Sequence, residues 1–158
     1  MNTIALIDAA LLDSVSRQAA ALPRLRKNHN FHASDDYPCN RLLNAIEPGS
    51  YVRPHCHADA GKDETLVVLR GRIGVLEFDA SGAVTGSAVL RPGGEAMGVD
   101  VPHGTFHSVL ALAPGTVFLE AKAGPYAPLR SCELPPWAPE EGSADVPRYY
   151  AWMRTYFD

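Results

Sequence analysis

Residues 49–71 read GSYVRPHCHADAGKDETLVVLRG. His55 and His57 stand one residue apart, Glu64 opens an apolar run, and glycines bracket the stretch. Alternate side chains of a strand point the same way, so His55 and His57 face one side together and Cys56 the other. Two imidazoles on one side of a rigid segment form a chelating pair. Glu64, across a six-residue loop on the next strand, can add a carboxylate oxygen. A second fragment, VPHGTFH at 101–107, can add a third imidazole from His107. Three nitrogens and one oxygen suit a divalent first-row transition metal rather than calcium or magnesium. Manganese, iron, nickel, copper and zinc all accept this donor set.

The surrounding pattern is that of a β-protein. Between Arg41 and Lys122, runs rich in Val, Leu, Ile and Phe alternate with glycine turns, and eight or so strands at near-regular spacing indicate a β-sandwich or barrel. SYVRPHCH is one of those expected strands. Upstream, residues 3–7 (TIALI) read as a short strand. Asp8 caps a helix through about Ala21, with Leu11, Leu12, Val15, Ala19 and Leu22 as its apolar stripe. Residues 24–40 are polar and irregular. After a proline-rich tail, residues 145–157 form a final helix capped by Asp145, with Pro147 in its first turn. Its stripe of Tyr149, Trp152, Met153 and Tyr156 serves core packing or a dimer contact. No repeat or domain boundary interrupts the chain. The expected organisation is one domain over 1–158: helix and covering loop in 1–40, barrel in 41–123, tail and helix in 124–158.

The spacing Gly49-x5-His55-x-His57-x6-Glu64-x6-Gly71 resembles the first cupin motif, with a longer histidine-to-glutamate gap than is usual there. Pro102-x-Gly104-x2-His107 resembles the middle of the second motif, and Ala111 stands where that motif has asparagine. A closer resemblance, carried by RLRKNHNFH, RLLNAIEPGSYVRPHCH, LEAKAGPY and WAPEE, is to the WbuC-type cupin metalloproteins. It implies a mainly β, single cupin jelly-roll barrel with a metal inside, held by His55, His57, Glu64 and His107. It also implies a link to bacterial surface-polysaccharide genes.

Parity extends the inward face to Tyr51 and Arg53, although Pro54 can disturb the alternation. An inward Arg53 needs an anionic partner, either a ligand's carboxylate or phosphate or a salt bridge to Glu120 or Glu77. From Glu64 the same parity turns Leu66, Val68 and Arg70 inward. Glu120 and Lys122 share a face of TVFLEAK with Phe118; solvent is the expected side, the cavity mouth the alternative. Tyr126 can close that mouth, and Arg41 is a further candidate. His29 and His32, with Asn28 and Asn30, read as surface residues or, alternatively, as a covering loop in which the histidines approach the site and the asparagines orient a ligand.

The net charge of −4 and the lack of a long Lys/Arg block argue against nucleic-acid binding. No apolar run approaches a membrane span, and the N-terminus lacks the basic region of a secretory signal. Three cysteines without a CxxC pair suggest a reduced, cytoplasmic protein. No GxSxG or P-loop motif occurs. The expected function is a metal-dependent enzyme, an isomerase, epimerase or oxygenase, acting on a small polar, anionic or sugar-like substrate. The alternatives are a ligand-binding or sensing module without turnover and a purely structural metal. The barrel edge and aromatic helix suggest a homodimer.

Overall fold

The structure, a computed structural model, describes residues 4–158. Its elements are α1 (Ala9–Ala20), β1 (Arg26–Asn30), β2 (Cys39–Ile46), β3 (Glu64–Arg70), β4 (Ile73–Phe78), β5 (Val84–Leu90), β6 (Gly98–Val101), β7 (Phe106–Ala111), β8 (Thr116–Ala123), a 3-10 turn at Ser131–Glu133, and α2 (Val146–Arg154). The strands form two antiparallel sheets, ordered β1-β2-β8-β3-β6 and β5-β4-β7. This is the mainly β jelly roll with terminal helices that the sequence implies.

The core lies between the sheets. Ile46, Leu66, Val68 and Phe118 from the larger sheet meet Ile73, Val75, Leu90, Val109 and Ala111 from the smaller. Each sheet is also covered outside by a helix, which explains why β4 and β7 are buried almost throughout. α1 begins at Asp8, whose Oδ1 accepts from Leu11 N at 2.9 Å. Its Leu11, Leu12, Val15 and Ala19 pack on Leu43, Ala45 and Val117, while Leu22 lies beyond the helix and is exposed. α2 places Met153 against Leu76, Phe78 and Leu110 on the outside of the smaller sheet. Asp145 precedes α2 but makes no capping bond, pairing instead with Arg148.

Several local expectations are corrected. Residues 4–8 form no strand, and Ile4 and Leu6 are exposed; Thr3 lies outside the described residues. The segment 26–30, expected to be irregular, is β1. SYVRPHCH is not a ladder strand: among the described residues its only strand-type pairing is an isolated bridge between His55 and His107. Arg70 does not follow Leu66 and Val68 inward. A register shift between Val68 and Arg70 reverses the parity. The Arg70 guanidinium therefore donates outward to Leu12 O, Ser16 Oγ, Asp13 Oδ1 and Gly115 O, tying α1 to the barrel.

Two contacts fix connections between the elements. Gly71 turns the chain at φ +78°, and a Cβ there would stand 2.8 Å from Thr116 Cα. The 3-10 turn reaches across to the histidine loop. Glu133 O accepts from Cys56 N at 3.0 Å, and its buried carboxylate accepts from Ala58 N and Arg130 N at 2.8 and 2.7 Å. The backbone bonds from Arg130 and Ala58 lower the Glu133 carboxyl to about 2.

Gly71→Ala should lower stability by about 2 kcal/mol or more in urea unfolding, because backbone conformation and contact both oppose the methyl group. Glu133→Gln should cost about 1–3 kcal/mol, since an amide cannot accept on both sides. The carboxylate's contribution is complete above its unfolded value near 4.3 and is lost as the pH falls towards 2. Unfolding curves collected between pH 5 and 2 should therefore show a shallower acid decline in Glu133→Gln than in the parent.

Candidate metal centre and its chamber

The site joins the two sheets. Glu64 opens β3 in the larger sheet, and His107 lies on β7 in the smaller. His55 and His107 exchange backbone bonds, His55 N to His107 O at 3.1 Å and His107 N to His55 O at 2.9 Å. Gly104 N donates to His57 O at 2.7 Å, so the PHGTF turn also grips the second histidine. His103 belongs to that grip: its backbone N donates to Asp63 Oδ1 at 2.8 Å.

One potential ligand atom from each of His55, His57, Glu64 and His107 lies within 4.8 Å of the others. The proton positions follow from their neighbours. His55 Nδ1 faces Arg53 O at 3.0 Å, and His107 Nδ1 faces Thr105 O at 2.9 Å. A carbonyl oxygen only accepts, so both Nδ1 atoms carry hydrogen and, in neutral rings, both Nε2 atoms present lone pairs. Burial, followed by the neighbouring His107, pushes His55 down to about 3, keeping it neutral. His107 Nε2 and His57 Nε2 stand 3.1 and 3.3 Å from Glu64 Oε2. Burial opposes ionisation of Glu64, yet the adjoining His107 and His57 rings and the charge of Lys122 hold it well below the usual carboxylate range. Converging lone pairs and a buried carboxylate repel unless positive charge lies among them. The donor set therefore fits a divalent transition metal.

Two spaces that share Asn28, His55, Glu120 and Lys122 in their walls flank these residues. The inner one, about 190 Å³, is walled by Ile46, Leu66, Val109 and Phe118. The outer one, about 390 Å³, is bordered by Asn28, Asn30, Asn40, Lys62 and Tyr126. Glu120 and Lys122 line both, which corrects the expectation that they face solvent. β8 is a central strand, so its ends are flanked by β2 and β3. Lys122 Nζ lies 3.1 Å from His57 Nε2 and Glu120 Oε1, and 3.3 Å from Glu64 Oε1. Asn44 Nδ2 donates to Glu120 Oε2 at 2.7 Å. Burial, then the Glu64 charge, raises the Glu120 carboxyl to about 7. Burial works against the Lys122 charge, but Glu64 and Glu120 raise it on balance.

Other candidates sit elsewhere. Tyr51 packs in the core and donates to Pro139 O, and Arg53 donates to Pro135 O, because 51–54 is no regular strand and the parity argument fails there. Among the described residues Arg53 pairs with neither Glu120 nor Glu77, and its buried Nε has no partner. His29 turns away and packs edge-on against Phe31 beneath α1. His32 does line the outer chamber, and Arg41 N donates to its Nδ1 at 3.2 Å. The Arg41 guanidinium instead lies over the Tyr37 ring. Tyr126, largely exposed, borders the mouth. Asn28 and Asn30, expected as possible ligand-orienting groups, line the outer chamber, and sequence reasoning missed Asn40, Asn44 and Lys62. No motif or spacing in the sequence marks these three.

No curated protein matches the chain. Among solved structures, BH2720 from Bacillus halodurans superposes with a TM-score of 0.57 at 17% identity, covering 80% of this chain and 85% of its own. KdgF from Halomonas sp. gives 0.52 at 19% identity, covering 68% and 85%. Oxalate oxidase in complex with the substrate analogue glycolate gives 0.51 at 15%, covering 66% and 53%. These likenesses carry the cupin-type fold. In sequence, the model described as Domain of unknown function (DUF6016) matches residues 7–90, a span that includes His55, His57 and Glu64 and stops before His107. Covering more than half of the chain, that match makes the protein a member of the DUF6016 family.

Proposed function

We propose that this protein is a cupin-fold metalloprotein that holds one divalent transition metal through His55, His57, Glu64 and His107, and that it is a metal-dependent enzyme acting on a small polar, anionic or sugar-like substrate. One observation carries the reading: backbone carbonyls fix the Nδ1 hydrogens of His55 and His107, leaving imidazole lone pairs converging with a buried carboxylate. When bound, such a metal polarises a substrate oxygen or activates water. The chain supplies the rest. Glu120, bordering both spaces, is the carboxylate placed to take and return a proton. Lys122 positions it and meets negative charge on a substrate.

A binding module without turnover is the alternative, and the amide-lined outer chamber would serve it equally well. The suggestion of surface-polysaccharide biosynthesis rests on the WbuC-type resemblance alone. Three free cysteines, one buried, accord with a reducing compartment such as the cytoplasm. No described helix is long and apolar enough to cross a membrane.

Purified protein should contain about one metal per chain by elemental analysis. His107→Ala should lose it, with an unchanged circular dichroism spectrum. A parent protein that stays metal-free after zinc, iron and manganese are offered would sink the metal reading. The homodimer, supported by the exposed apolar side chains of Ile4, Leu6 and Tyr156, predicts twice the chain mass in sedimentation at micromolar concentration; a monomer there overturns it.

A further inference from the structure

The segment before α1 is apolar and bare. Residues 4–8 read IALID. Ile4 is 93% exposed and Leu6 72%, and Ile7 is exposed as well. Among the described residues, 4–7 make no backbone hydrogen bond. Laid out as a strand, Ile4 and Leu6 face one way and Ala5 and Ile7 the other, so both faces are apolar. Strands of that character are covered on both sides. The segment is rooted beside β3: Arg70, the last residue of that strand, donates to Leu12 O and Asp13 Oδ1 in the first turns of α1.

The neighbour of β3 offers the matching surface. β6 is an edge of the larger sheet, and among the described residues no strand lies on its far side. Outside, α1 covers Leu43, Ala45, Val117 and Leu69 but leaves Val67, opposite Gly98 of β6, 38% exposed. Met97, whose carbonyl oxygen accepts from Val68 N, is half exposed there. Inside, the edges of the two sheets part around a cleft of about 420 Å³ walled by Val75, Ala88, Val99, Val101 and Pro102. Its carboxylates, Glu77 and Asp100, are exposed to water. A strand added to β6 therefore meets apolar surface on each face. The other free edges differ: β1 is the polar RKNHN, and β5 carries Thr85, Gly86 and Ser87 at its middle. Resting on the homodimer reading above, we propose that residues 4–8 of one copy pair with the free edge of β6 in a second copy, one apolar face over Val67 and the other in the cleft, and that the exchange is reciprocal. The lengths agree, since at about 3.3 Å per residue the segment and the four-residue β6 span about 17 and 13 Å. Each copy presents segment and edge on the same side, so a two-fold axis satisfies both and closes the assembly. His107 also lines the cleft, so docking closes the barrel wall behind the candidate metal centre.

Sedimentation of the full chain at micromolar concentration tests this. The parent should run as a dimer. Leu6→Lys and Val67→Glu should each raise the dimer dissociation constant at least about tenfold, the effect of a charge set into an apolar contact, with unchanged circular dichroism. Mixed together, the two variants should dimerise more tightly than either does alone. The mixed pair keeps one native contact and sets the introduced ammonium against the introduced carboxylate in the other. Amide exchange at residues 5–7 should be slow in the parent and fast in Leu6→Lys. Should Val67→Glu fail to fold, Met97→Glu takes its place. A dimer that survives both substitutions, or a mixture no tighter than its components, overturns the strand exchange and leaves the homodimer standing. A monomeric parent fails the homodimer reading itself, and the exchange with it.

Discussion

The short bridge between His55 and His107 is the constraint on which the site depends. Two backbone bonds fasten a loop that belongs to neither sheet onto the edge of the smaller one. A loop of this kind would otherwise leave its imidazoles free to sample many positions. The bridge fixes His55 against His107, Glu133 O holds Cys56 N between the two loop histidines, and Gly104 N holds His57 O. Glu64 arrives independently from β3, in register with Lys122 on β8. The cluster is thus assembled from both sheets, and its geometry is as rigid as their packing.

The charge arrangement follows from the same geometry. Glu64 is buried and yet favours ionisation, which isolated burial would oppose. Imidazoles and an ammonium surround it. Glu120, two residues before Lys122 on β8, experiences the opposite balance: burial and the Glu64 charge both disfavour its anion. Two carboxylates on adjacent strands are therefore driven apart in acidity. One suits a permanent anionic ligand atom and the other a group that changes protonation near neutrality.

The four residues of the candidate metal centre were legible because their identities and spacing are chemically unusual wherever the backbone goes. His55, His57, Glu64 and His107 are brought together even though the expected strand around 51–57 does not form. Arguments that needed that strand failed. Tyr51 and Arg53 were turned inward by alternation, and Pro54 and the single bridge leave no alternation to follow. Arg70 failed for a related reason, as one register shift on β3 reversed its side. The terminal helices were readable from the Asp8 cap, from Pro147 in the first turn of α2 and from their apolar stripes, local signals that do not depend on sheet order.

The omission of β1 has a different origin and bears on function. Strand reading relies on apolar residues marking the buried face. RKNHN has none, because the face it turns inward borders a polar chamber rather than a hydrophobic core. Glu120 and Lys122 were set on the solvent side by the same rule, which treats charge as a sign of exposure. In both cases the sequence pattern was correct about polarity and silent about geometry, since only the strand order β1-β2-β8-β3 reveals that these polar faces meet one another. A barrel end lined by carboxamides, an ammonium and two carboxylates is costly to bury without a ligand to satisfy it.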